Sequence, residues 1–209
     1  MDGKYHVQLC QDALSAHFSP DALTIIAKAD TGQDSLVGLF FHDEFHAQDR
    51  AFGRTYIQEQ RGIAIDAAKR GEPTDAWRAF GRLLHATQDF YAHTNYVRLW
   101  AEHYSEEDLP PVEQFDGLNA NLLRDKGLYA CATYLVRDYL YFVPFLRSWV
   151  LANIPEDSHA RMNLDNPGQG PHFDYAMAGA RQASERELHA ILEALTPAEQ
   201  ARFLDRHAD

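Results

Sequence analysis

The chain has little cysteine, little positive charge, no long apolar run and no strand-like alternation, and each shortage removes a class of protein. Its two cysteines, Cys10 and Cys131, are too few for a disulfide framework or a cysteine-rich structural zinc site. Far apart in sequence, they read as small buried hydrophobes, with one long-range disulfide as the other option. Only 19 basic residues stand against 31 acidic ones, for a formal net charge of −12. That balance argues against nucleic acid, whose affinity comes from lysine and arginine meeting phosphates, and against a polybasic membrane anchor. No stretch approaches the ~18 apolar residues of a membrane span. The best candidate, residues 139–150, is interrupted by Pro144 and Arg147. At the N-terminus no basic segment leads into an apolar run, so no signal peptide is expected and the protein reads as cytoplasmic unless a leader was removed. Internal repeats, low-complexity tracts and useful strand alternation are all missing.

What is present is apolar and helical in period. With 45% apolar and 12% aromatic residues in 209 positions, the chain can bury a large core, and we read residues 1–209 as one all-α domain. Its organising stretch is GRLLHATQDFYAHTN, Gly81 to Asn95, which sets His85, Asp89 and His93 at a repeated spacing of four. On an α-helix each such step turns the side chain by only about 40°, so the three form one polar stripe. Trp77, Phe80, Leu83, Leu84, Phe90, Tyr91 and Tyr96 interleave with it, so the stripe is expected to point inward. His85 and His93 are about 12 Å apart along the axis, too far to share one ion comfortably. Asp89 between them could bridge two ions about 3.5–4 Å apart. The competing reading is a set of histidines hydrogen-bonded to carboxylate or backbone. Three candidate ligands in register, among 11 histidines in the chain, favour metal.

Around this helix the chain divides readily. Val7, Leu9, Cys10, Ala13 and Leu14 could form the apolar side of a first helix. His17 precedes Ser19 and Pro20, an N-cap and first helical position, so a helix is expected from Pro20 to about Lys28. Residues 30–34 (DTGQD) read as a loop carrying two carboxylates. His42, Asp43, Glu44, His46 and Asp49 are the densest group of possible ligands. A scaffold helix is expected from Asp49 to Arg70, closed by Gly71, and the motif helix from Thr74 or Asp75 to about Tyr104. Asn119 to Asn153 carries the longest helical pattern, which Pro144 should kink or divide. A Gly/Pro-rich loop after His159 brings Asp165 and enters a helix near His172; Thr196-Pro197 begins a last short helix.

The block GRLLHATQDFYAHTNYVRLW resembles the signature of the zinc-dependent phospholipase C superfamily, nearest its Het-C and glycosylphosphatidylinositol-phospholipase branch. That pattern is Leu-His, three residues, Asp-Phe, then Ala-His-Ser-Asn, with Thr94 here in place of the serine. His17 resembles the family's early ligand histidine, Ala29-Asp30 followed by Asp34 its aspartate segment, and the His42/His46 region its His-Phe-Asp block. Met162 to Pro167 looks like its Asn-Lys-Asp loop, with His172 opening the next helix. Two departures stand out: Ala176 occupies the position of a glutamate ligand four residues after His172, and no N-terminal tryptophan amine is available as a ligand.

The resemblance implies a compact helical bundle around two or three zinc ions. His17, Asp34, His46, His85, Asp89, His93 and His172 would hold them, with His42, His159 and Asp165 as further candidates. It implies a phospholipase C-like hydrolase that attacks a phosphodiester or phospholipid with a metal-bound hydroxide, Asp89 bridging the ions and Asp34 orienting the water. A non-catalytic, metal-stabilised binding protein is the alternative, and a zinc nuclease a second one.

Overall fold

The computed structural model describes residues 1–34, 50–132, 134, 140 and 143–205. The His42/His46 region, with Asp43, Glu44 and Asp49, lies outside the described residues. The described residues are mostly helical and contain no strand, in agreement with the all-α expectation. Nor is any helix among them long and apolar enough to cross a membrane.

Helix α1 (Gly3–Leu14) buries His6, Leu9, Cys10, Ala13 and Leu14 along one face. Helix α2 (Pro20–Thr31) starts as its sequence dictates: the Ser19 hydroxyl accepts from the Ala22 amide at 3.1 Å and Pro20 holds the first helical position. Its buried residues, Ala22, Ile26 and Asp30, repeat every four positions. A 3-10 turn, Gly32–Asp34, continues it where a loop was expected. Helix α3 (Arg50–Arg70) ends at Gly71, whose φ of 76° closes the helix at little steric cost. Then follow α4 (Pro73–His93), α5 (Tyr96–Ala101), α6 (Arg147–Asn153), α7 (His159–Met162), α8 (Phe173–Glu193) and α9 (Pro197–Leu204).

Helix α4 is the axis, packed against α2, α3 and α8. Its first half contributes Trp77, Phe80, Leu83 and Leu84 to one apolar core, shared with Leu14, Phe18, Ile26, Leu188 and Phe203. Its last turns contribute Tyr91 and Ala92 to a second core, with Leu9, Tyr96, Trp100, Phe115 and Tyr175. Each fully buried large side chain contributes roughly 1.5–3 kcal/mol. His85 and Asp89 fall between the two cores, fully buried.

Two expected helices differ from what forms. The motif helix stops at His93 instead of running to Tyr104. Thr94 turns extended while its hydroxyl donates back to the Phe90 carbonyl at 2.6 Å, and the Asn95 side chain binds the Gly127 carbonyl and the Tyr129 amide at 2.9 and 2.8 Å. The long Asn119–Asn153 helix is replaced, in its described part, by the short 3-10 turn Leu122–Arg124 and irregular chain before α6. There the side chains compete with the helix for backbone donors: Asn119 Oδ1 accepts from the Asn121 and Leu122 amides, and Asp125 Oδ1 from the Gly127 amide. Neither Cys10 nor Cys131 forms a disulfide, and both are buried.

Candidate functional site

The end of α4 gathers the site. Its last carbonyls have no partner within the helix and take amides from elsewhere: Ala92 O from Leu164 at 3.0 Å, and His93 O from Cys131 at 2.7 Å. The Leu164 bond delivers Asp165 to His93. Isolated bridges, Thr94 to Ala130 and Ala132 to Ser158, bring His159 alongside. From the other side, the buried stripes of α1 and α2 deliver His6 and Asp30.

Two donor groups result, joined by the Asp89 carboxylate. In the first, His6 Nε2 lies 3.3 Å from Asp89 Oδ1 and His85 Nε2 3.4 Å from Asp89 Oδ2. Asp30 Oδ1 stands behind both rings, 3.3 Å from His6 Nδ1 and 3.2 Å from His85 Nδ1. Gln88 Oε1 also holds His6 Nδ1 at 2.7 Å, and the two imidazoles stack at 4.4 Å. Asp34 reaches within 3.6 Å of His85 Nε2. In the second group, His93 Nδ1 lies 3.5 Å from Asp89 Oδ2, while its Nε2 lies 2.8 Å from Asp165 Oδ1. His159 Nε2 is 3.7 Å from Asp165 Oδ2. The Met1 amine contacts Asp89 at 2.7 Å, Asp165 at 3.0 Å and His93 Nε2 at 3.3 Å.

The charges are strongly perturbed. Burial opposes a proton on His6, yet Asp30 and Asp89 outweigh it and raise the imidazole to about 9. Burial likewise opposes the Met1 ammonium, which Asp89 and Asp165 hold up at about 11. Burial lowers His85, and with His93 beside it lowers His159 to about 4. Asp165 stays well below the usual carboxylate range: burial works against its charge, but the Met1 amine and His93 prevail. Burial, then the neighbouring Asp30, pushes the Cys10 thiol well up; it donates to Asp30 Oδ2 at 3.2 Å.

Of the residues nominated from sequence, the structure brings together Asp34, His85, Asp89, His93, His159 and Asp165. It does not bring His17, which packs edge-on against the His189 ring at 6.4 Å, or His172, which caps α8 and lines a separate groove. His42 and His46 lie outside the described residues. His6 and Asp30 complete the cluster; the sequence reading does not include His6, and it places Asp30 as a loop carboxylate and in the aspartate segment of the resemblance, without a site role. Both carry the signal that singled out His85, a polar residue on the buried stripe of its own helix: His6 in register with Cys10, Ala13 and Leu14, and Asp30 with Ala22 and Ile26.

Fold and cluster together define a helical domain with a buried histidine–aspartate centre. A family model for the VWA7 N-terminal domain matches residues 3–125, more than half of the chain, and the chain belongs to that family. It is 33% identical over 101 residues to von Willebrand factor A domain-containing protein 7 of Mus musculus, and 32% identical over 101 residues to the Rattus norvegicus protein of that name. Each match covers 44% of this chain and 11% of the relative, so the matched stretch is about a ninth of those longer proteins. No solved structure matches. This membership overturns the assignment to the zinc-dependent phospholipase C superfamily, and with it the phosphodiester hydrolase and the nuclease. The physical reasons agree. The resemblance was specific only in the α4 block, its outer matches being short, and two of the ligands it nominated, His17 and His172, are in neither donor group. Ala176, at the glutamate position, is buried among apolar side chains.

Proposed function

We propose that the domain is a metal-stapled helical module, in which two divalent ions lock α1, α2 and α4 to the 159–165 segment and so hold a rigid binding surface. The observation that carries this reading is a buried imidazole nitrogen, His6 Nε2, that makes no hydrogen bond. It faces the Asp89 carboxylate at 3.3 Å, as His85 Nε2 does at 3.4 Å. Two donors each about 2 Å from one tetrahedral ion stand roughly 3.3 Å apart, so these separations suit ligand pairs better than hydrogen bonds. His6, His85 and Asp89 would hold one ion, with Asp30 orienting both rings from behind; His93, His159 and Asp165 would hold the other. Zinc suits such nitrogen and carboxylate donors.

A structural role is favoured over turnover because His6, Asp30, His85 and Asp89 are all 0% exposed. A catalytic ion keeps a position open to substrate. The relatives' length supports a module within a longer chain. Chelation tests the reading: stripping the ions should lower the melting temperature by roughly 10 °C, as for a loss of about 3–4 kcal/mol, with recovery on adding zinc. An unchanged melting curve after chelation would contradict it.

A further inference from the structure

Beside the cluster, two cavities of about 160 and 590 Å³ share Arg98, Arg161 and Gln169 in their walls and so form one groove. Three guanidinium groups line it from three separate elements: Arg98 of α5, Arg147 of α6 and Arg161 of α7. The chain is otherwise acidic, with a net charge of −12, yet among the described residues lining either cavity Glu156 is the one carboxylate. Among the described residues, Arg98 and Arg161 meet neutral acceptors, the Tyr129 hydroxyl and the Leu151 carbonyl. Their charge is left without a carboxylate to balance it. Gln169 lines both cavities, and the Asn163 Oδ1, which makes no hydrogen bond, adds an amide oxygen on the same walls.

We infer that this groove binds an acidic peptide segment of a partner, carboxylate side chains on the arginines and main chain along the amide-bearing wall. Guanidinium forks match carboxylates in plane and spacing, and arginine is enriched at binding hot spots. An anionic membrane is disfavoured, because the arginines line a concavity and three basic groups fall short of the four to eight of a typical lipid-binding cluster. The inference rests on the arginines and not on the metal; measuring the metal content of the same sample keeps the two apart.

The test is fluorescence anisotropy of a labelled oligo-glutamate peptide with the 209-residue chain. Oligo-glutamate should bind saturably and more weakly as salt rises, and oligo-glutamine should not bind. Arg98→Gln and Arg161→Gln should each weaken binding about tenfold, as for loss of one charge-assisted contact. Arg98→Lys and Arg161→Lys should retain part of it, and they guard against a folding defect in the glutamine variants. Arg181→Gln, an equal charge change at an exposed residue on α8 paired with Glu185, should leave affinity unchanged. The inference is overturned by no saturable binding, by equal binding of oligo-glutamine, or by an equal loss in Arg181→Gln. It is overturned too if phosphatidylserine vesicles bind and oligo-glutamate does not displace them.

Discussion

Asp89 is where the two halves of the cluster meet: its oxygens face His6, His85, His93 and the Met1 amine, and none of its surface is exposed. Replacing a buried charge while leaving its partners in place strands them, at a cost of roughly 3–5 kcal/mol. Asp89→Asn should therefore lower stability by about that amount in urea unfolding and abolish metal binding at the position it shares with His6 and His85. His17→Ala and His172→Ala should leave the metal content as it is, because His17 packs against His189 and His172, at the N-terminal end of α8, belongs to neither trio of donors. Loss of an ion in either variant would restore the ligand set the family resemblance implied. At this scale the central stripe was legible because four-residue spacing on an aromatic-rich helix has few other uses. His6 was equally legible by the same rule, on a helix whose apolar face was recognised but whose one polar member was passed over. Asp165 was not, since a loop residue reaches its place through the Leu164–Ala92 backbone bond, which no local pattern encodes.

At the scale of elements, the site depends on how closely α2 approaches α4. Gly81 makes that approach possible: a Cβ there would sit 2.3 Å from the Ile26 carbonyl oxygen and 2.8 Å from Ala29 Cβ. Neither obstacle is a flexible side chain, so Gly81→Ala must push the helices apart. The expected cost is about 1–3 kcal/mol, by overpacking. Asp30, one residue from the clash, should shift away from His6 and His85, so weakened metal retention should accompany the lower melting temperature. A Gly81→Ala protein with wild-type stability would show that the two helices do not pack this way. Helix boundaries were legible where caps were strong, as at Ser19-Pro20 and Gly71. They failed where tertiary bonds intervened. Asn95 ties down residues 127–129 and thereby ends the motif helix, and the apolar period of Asn119 to Asn153 did not reveal that Asn119 and Asp125 would bond their own following backbone.

Among the described residues, two apolar cores are strung along α4 with a charged centre between them, and a third, smaller one gathers around Val150, Ile154 and Ala160. Such a centre is costly without compensation, because buried ions lose their hydration. Partial compensation comes from the protonated His6 and Met1 amine facing Asp30, Asp89 and Asp165. Divalent ions would replace those protons with stronger charges and give His6 Nε2, which makes no hydrogen bond, a ligand bond. Helical periodicity and the lack of strand alternation had already made the fold class plain, whereas the function implied by the family resemblance failed: a helix stripe that holds polar groups in register can serve a buried staple as readily as an active site. The most direct measurement is the metal content of tag-free wild-type protein and of His6→Ala, by elemental mass spectrometry after exhaustive dialysis. About two zinc ions per chain in the wild type and about one in His6→Ala are expected, from two trios of donors of which His6 serves only one. Less than one tightly bound transition ion per chain in the wild type would contradict the metal staple outright.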